Sequence, residues 1–167
     1  FPSTLMRVVD PDDPTRLVPQ GEPGELLLHG PQVFVGYWND PEETAATLLP
    51  GGWLRTGDIV TVDADGFTTI VDRVKELIIT GGFNVSPSEV EAALRLHPAV
   101  TSAAVVGKPL ERGGEMVVAA VEIDAAASFD EEALREHCRD LLAAYKVPRR
   151  IVQIEDTPRS MLGKILR

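Results

Sequence analysis

The stretch that decides the fold is residues 72–91, "DRVKELIITGGFNVSPSEVE". One kind of pattern gives way to another inside it. "ELIIT" is a short apolar run that reads as a strand. Gly81-Gly82 follows, a pair suited to positive φ or to close approach of a ligand to the backbone. After "GGFNV" the period lengthens. Ser86-Pro87-Ser88-Glu89 has the form of a capping box with proline at the first helical position. Val90, Ala93, Leu94 and Leu96 then supply one apolar helix face, and His97-Pro98 stops it.

Upstream of this stretch the chain is mostly β. "TLMRVVD" alternates apolar and polar residues, and "GEPGELLLHG" adds a turn and a second strand. "NDPEETAATLL" is the one helix there: Asn39 or Asp40 can cap it, Pro41 suits its first turn, and Glu42 and Glu43 suit the positive end of its dipole. "GDIVTVDADGFTTIVDR" predicts a hairpin, Ile59 to Val62 and Phe67 to Val71 around "DADG". Downstream, strands and helices alternate. "AVTSAAVVG" and "MVVAAVEI" are apolar enough to be central strands, with the loop "LERGGE" between them. Ser128 and Glu131 suggest a second capping box, ahead of a helix that turns Leu134, Cys138, Leu141 and Leu142 inward. "KVPRRIVQIED" breaks at proline and becomes a strand. The expected organisation is a β-rich unit over residues 1–72 and a compact mixed α/β unit over 73–167, an α/β (α+β) class overall. The first unit is small enough to bury little surface by itself, which suggests a piece of a larger domain.

The totals narrow the function. The 167 residues are 44% hydrophobic and 25% charged, as in a globular protein. No apolar run is long enough to span a membrane as a helix, and the first residues lack the basic and apolar regions of a signal peptide. Cys138 is the only cysteine, so no intrachain disulfide can form and a reducing compartment is expected. The net charge of −10 argues against nucleic acid as the main partner. The charge is nonetheless uneven: Tyr145 to Arg167 carries six basic residues against two acidic ones, which suits a local task with an anion.

Several residues could serve an anionic ligand. Asp58, in "WLRTGDIV", can accept hydrogen bonds from both hydroxyls of a ribose, or can satisfy a turn. Arg73 can reach ribose or phosphate oxygens. Lys75 stands where the architecture changes, and Asn84 adds an amide beside Gly81-Gly82. Each also has a bland reading as a surface ion pair, tight turn or helix neighbour. The closing "PRSMLGKILR" contains Gly163-Lys164, like the end of a phosphate-binding loop. That loop needs an earlier glycine and a hydroxyl residue after the lysine, where Pro158 and Ile165 stand, so the loop reading fails.

Taken in order, "GELLLHGPQVFVGYWNDPEET", "GWLRTGDIV", "DRVKELIITGGFNVSPSEVE", "YKVP" and "PRSMLGKILR" resemble the adenylate-forming enzymes: acyl-CoA synthetases, their peptide-synthetase relatives and luciferases. The likeness runs from Leu5 to Arg167 and is strongest toward bacterial long- or medium-chain fatty-acid–CoA ligases; aryl-acid–CoA ligases have similar tails. It implies a chain comprising the β-rich end of a large N-terminal domain and the mobile C-terminal lid, with a hinge near residues 73–77. It further implies activation of a carboxylic acid by ATP and Mg2+, then transfer of the acyl group to coenzyme A. By resemblance Asp58 binds the ribose hydroxyls, Ile70 lies against the nucleotide (ATP or AMP), and Arg73 contacts ribose or phosphate. Lys75 is the hinge, Gly81, Gly82 and Asn84 line the pantetheine passage, and Lys164 is the catalytic lysine of adenylation.

The resemblance also implies what this stretch lacks. A Ser/Thr/Gly-rich phosphate loop, the magnesium-binding glutamate and the acyl pocket are expected upstream, so no metal ligand is assigned here and the 167 residues alone are expected to be inactive. A cytoplasmic location is expected, with peripheral contact at the inner membrane face as an option. A homodimer, and a protein lysine acetyltransferase acting on Lys164, are compatible with the family. Two alternatives stay open: an enzyme that loads a carrier protein rather than free coenzyme A, and a free-standing lid-like binding module.

Overall fold

The computed structural model describes residues 2–159, 161 and 165. The chain packs as two compact units, Phe1–Lys75 and Glu76–Arg167.

The first unit is built on one sheet. Strands β1 (Leu5–Val9), β2 (Gly24–His29), β4 (Trp53–Val62) and β3 (Leu48–Leu49) lie side by side in that order, and β5 (Thr68–Arg73) pairs with β4. Every pairing in it is antiparallel. Helix α1 (Pro41–Thr47) is capped by Asp40, whose carboxylate accepts the Glu43 N–H at 3.0 Å. The β4–β5 hairpin is longer than the sequence suggests. The Asp63 side chain accepts N–H bonds from Asp65 and Phe67, so the turn closes between Val62 and Thr68. β4 also extends back to Trp53, which puts Asp58 in mid-strand. Inside this sheet lies a charged pair. The Glu25 carboxylate, 1% exposed, accepts Arg55 Nε at 3.0 and 3.1 Å, and Arg55 Nη2 also donates to the Pro11 carbonyl. Those charge-assisted bonds raise the Arg55 pKa above its ordinary value.

The second unit has two layers. β9 (Glu115–Ile123) is central, antiparallel to β8 (Val100–Pro109) and parallel to β10 (Arg150–Gln153). A parallel neighbour requires a crossover, and α3 (Glu131–Leu141) provides it. α2 (Pro87–Arg95) and α3 share one core with the sheet: Val90 and Leu94, Leu134 and Cys138, Ala103 and Val105, Val117, Ala119 and Val121, and Ile151. The sequence suggests two central strands, but β8 is an edge of its sheet. Its apolar run is explained by α2: the buried Glu91 carboxylate accepts the Val105 N–H at 2.9 Å, covering part of the unpaired edge.

Three other local expectations need comment. Ser86 caps α2 by accepting the Glu89 N–H. Leu96, expected on the buried face, is 69% exposed because α2 ends at Arg95 and its core face is completed by Val90, Ala93 and Leu94. The second capping box does not form at Ser128. Asp130 caps α3, accepting the N–H groups of Glu132 and Ala133. Phe129, just before Asp130, packs against the core that contains Leu134, four residues into the helix. This hydrophobic staple selects the start; Val85 and Val90 make the same pair around Ser86.

Candidate functional site

In the first unit, Asp58 and Arg73 face each other across the β4–β5 ladder. Arg73 Nε lies 3.2 Å from Asp58 Oδ1. The backbone N–H of Asp58 donates to Thr56 Oγ1, whose hydroxyl donates to the Leu26 carbonyl on β2. Gly57, between Thr56 and Asp58, has φ of 70°, a conformation that a residue with a Cβ would adopt only under strain. The carboxylate is thus aimed by a kinked strand and tied to its neighbours. Its side chain remains 22% exposed and that of Arg73 55% exposed, so both can take a further partner. Ile70 is 64% exposed on β5, an apolar side chain facing solvent on a strand that ends in Arg73. Lys75 sits in a 3₁₀ turn, Val74–Glu76, and the division between the units falls between Lys75 and Glu76.

In the second unit, β6 (Ile78–Thr80) and β7 (Phe83–Val85) form a hairpin that the sequence reading did not separate, with "FNV" as its second strand. Gly81 and Gly82 are its two-residue loop, with φ of 59° and 83°. Two successive positive φ values are the signature of the type I′ turn, whose twist matches the strands it joins. Around either glycine, nothing among the described residues beyond its chain neighbours lies within 4 Å of where a Cβ would stand. The glycines therefore serve the turn and leave an open surface beside it. Asn84 pairs with Ile79 in the ladder. Ile78 and Val85 anchor the hairpin in the core, while Ile79 and Phe83 are more than half exposed. Phe83 stacks on Tyr145, ring centres 4.5 Å apart, beside a groove of about 200 Å³ lined by Thr80, Gly81, Val147 and Arg149. The following Lys146 holds the Glu89 carboxylate with contacts of 2.7 and 2.8 Å, tying this segment to the start of α2. Lys164, the residue assigned to catalysis, lies outside the described residues.

The sequence reading missed two features that bear on this site. The pairing of buried Glu25 with Arg55 braces the strand carrying "WLRTGD"; an apolar strand with glutamate at its second residue and another with arginine at its third were its only signal. The second is the aromatic stack, which needs Phe83 and Tyr145 to meet from distant positions. Among the described residues no group of acidic, histidine and cysteine side chains could hold a metal ion, and no helix is long and apolar enough to cross a membrane.

The comparisons with known proteins agree with this architecture. Residues 89–164 match the model of the AMP-binding enzyme C-terminal domain. Over 166 residues the chain is 45% identical to a long-chain-fatty-acid–CoA ligase of Escherichia coli, covering 99% of this chain and 29% of that ligase. It is 49% identical over 146 residues to a 2-succinylbenzoate–CoA ligase of Geobacillus kaustophilus, covering 87% of this chain and 30% of that ligase. Among solved structures, ATP-bound MatB from Rhodopseudomonas palustris superposes with a TM-score of 0.83 at 37% identity, covering 99% of this chain and 33% of that one. The chain thus spans less than a third of the length of the curated ligases it matches. Its second unit belongs to the AMP-binding enzyme C-terminal domain family, the small domain of the adenylate-forming enzymes.

Proposed function

We propose that this chain is the C-terminal part of an ATP-dependent acyl-CoA ligase that adenylates a fatty acid and then transfers the acyl group to coenzyme A. The observation that carries the reading is an arrangement along the chain. A carboxylate and a guanidinium, Asp58 and Arg73, are paired on an exposed ladder; the unit division follows at Lys75; an open glycine turn, Gly81-Gly82, opens the next unit.

Each element suits one task. Asp58 is an acceptor-only group, matched to the two hydroxyls of a ribose, and Arg73 beside it offers donors to ribose or phosphate oxygens. The exposed Ile70 supplies apolar surface for the nucleotide. ATP supplies the phosphoanhydride that makes the carboxylate reactive, with Mg2+ balancing its charge; the Mg2+ ligand belongs to the part of the ligase beyond this chain. Bringing a carboxylate to the α-phosphate sets two negative groups against each other. Lys164, a compact cation on a flexible stem, offsets that repulsion as charge develops. Thioester formation needs a thiol in the same place. A rotation at Lys75 would withdraw Lys164 and bring Gly81, Gly82 and Asn84 alongside the pantetheine arm, and residues at element ends are where such hinges form.

The decisive experiment uses the full-length ligase and separates the half-reactions. Lys164→Ala should slow ATP–pyrophosphate exchange by about a hundredfold or more, as loss of a charge-stabilising group does, yet spare thioester formation from supplied acyl-adenylate. Equal loss in both would overturn the role of Lys164. The 167-residue chain alone should show no exchange. A second reading, an aromatic-acid ligase, is favoured by the 49% identity to the 2-succinylbenzoate enzyme; a panel of fatty and aromatic acids separates the two. Acetylation of Lys164 would remove its charge and silence adenylation, and mass spectrometry after treatment with a lysine acetyltransferase tests for it.

A further inference from the structure

The strand that leads into the Gly81-Gly82 turn and the segment 157–159, which precedes Lys164 in sequence, are both fastened to the same strand. We propose that β9 is a strut whose glutamates at either end, Glu122 and Glu115, are positioning residues, Glu122 for adenylation and Glu115 for thioester formation. This rests on the functional reading above.

At one end, Glu122 accepts the backbone N–H of Thr157 at 2.7 Å and also the Thr157 hydroxyl. That hydroxyl has a single hydrogen, which goes to the carboxylate. Ser102, opposite Glu122 in the β8–β9 ladder, has its hydroxyl oxygen 3.0 Å from Thr157 Oγ1 and also bonds the Glu122 carboxylate. The Ser102 oxygen in turn accepts from Arg159 Nη2 at 3.0 Å. The result is a network joining guanidinium, two hydroxyls and carboxylate, with Ser102 5% and Thr157 1% exposed. It reaches Arg159, which bridges to Ile165, the residue after Lys164 in sequence. The hydroxyl and the N–H of Thr157, with Arg159 nearby, hold the Glu122 carboxyl below its ordinary pKa.

At the other end, Glu115 Oε2 accepts the Ile79 N–H at 2.9 Å. Ile79 lies two residues before Gly81, in the strand that leads into the turn. To reach it the Glu115 side chain crosses over Gly107 of β8: a Cβ at Gly107 would stand 2.6–2.8 Å from its carboxylate atoms. Glycine at 107 is what leaves the path open. Glu115 and Glu122 are seven residues apart in sequence. On a strand that odd spacing places them on opposite faces and about 23 Å apart. The two fastenings are therefore physically separate, and each can be removed alone.

The test is a double dissociation in the full-length ligase. ATP–pyrophosphate exchange reads adenylation, and acyl transfer from supplied acyl-adenylate to coenzyme A reads the second step. Thr157→Val cuts the hydroxyl chain and should slow exchange about tenfold while transfer stays within about twofold; Thr157→Ser should restore exchange. Glu115→Ala should do the reverse, and Glu115→Gln, which keeps an oxygen for the Ile79 N–H, should restore transfer. Gly107→Ala should mimic Glu115→Ala. Equal loss in both half-reactions, or no recovery in the conservative variants, would overturn the proposal. In the 167-residue chain the Thr157 amide shift, followed by NMR, should titrate with a midpoint below 4.5, the ordinary glutamate value, and Glu122→Gln should abolish it. A midpoint at the ordinary value would overturn the Glu122 fastening whatever the enzyme catalyses. A full-length protein that forms no acyl-adenylate would instead sink the functional reading, and the half-reaction assignments with it.

Discussion

The two units of this chain solve the problem of a core differently. In the second, helices and sheet enclose a cluster of thirteen buried apolar residues, including fully buried Val90, Leu94, Ala119, Val121 and Cys138. In the first, among the described residues, only Val9, Leu27, Ile59 and Val60 are buried apolar side chains, and the charged Glu25 is buried with them. That unit leaves Val35 and Trp38 98% exposed, with Phe67 and Leu17 also largely in water. A sheet with one short helix has no second layer to cover it. The contrast teaches that the second unit is self-sufficient, while the first depends on an ion pair and leaves apolar surface uncovered.

The strongest way to break the comparison is to separate the units. Residues 76–167 alone should fold cooperatively with dispersed NMR signals, and residues 1–75 alone should unfold at a lower urea concentration. A first unit as resistant as the second would refute the claim of dependence. Next in size is the ion pair. Glu25→Ala leaves the part-buried Arg55 without its carboxylate and should cost the first unit about 1–3 kcal/mol. Both tryptophans, Trp38 and Trp53, lie in that unit, so tryptophan fluorescence during urea unfolding reads it alone. The second unit has its own reporter in Cys138. Burial pushes its thiol pKa up to about 11, so thiolate is scarce near neutrality as well as hidden. At pH 8 a thiol reagent should label the chain only as fast as the second unit opens, and Glu25→Ala should leave that rate unchanged. A faster rate in the variant would show that the two units unfold together.

The smallest effect sharpens the comparison through pH. Glu122 has a depressed pKa in the folded chain, so its contribution to stability is fully present above the ordinary glutamate value. It is lost as pH falls through the depressed value. The second unit should thus weaken below about pH 4.5, and Glu122→Gln should flatten that part of its pH profile, as measured by urea midpoints.

Local structure was legible wherever a short-range rule had no competitor. Ser86-Pro87 with Glu89 formed its cap, and the change of architecture after Arg73 could be read from the switch in period. The cap at Ser128 failed because two acceptors, Ser128 and Asp130, compete within three residues; the staple between Phe129 and Leu134 decides, and that pairing was readable but unread. The Gly-Gly pair could be read as a turn, but its hairpin partner "FNV" is too short to show a period.

By itself the sequence determined most of the order of elements and the motif residues Asp58, Arg73, Lys75, Gly81, Gly82 and Lys164 as candidates, because turn chemistry, helix caps and motif spacing are local properties. Only the tertiary structure decided which of those candidates meet, and what holds them. Asp58 finds Arg73 across a ladder with a register shift, Glu25 is buried by Arg55, and Glu122 and Glu115 reach Thr157 and Ile79. The physical reason is the same in each case. A carboxylate in a strand looks alike in sequence whether it faces water or a donor brought from 15 to 36 residues away, and only packing supplies the donor.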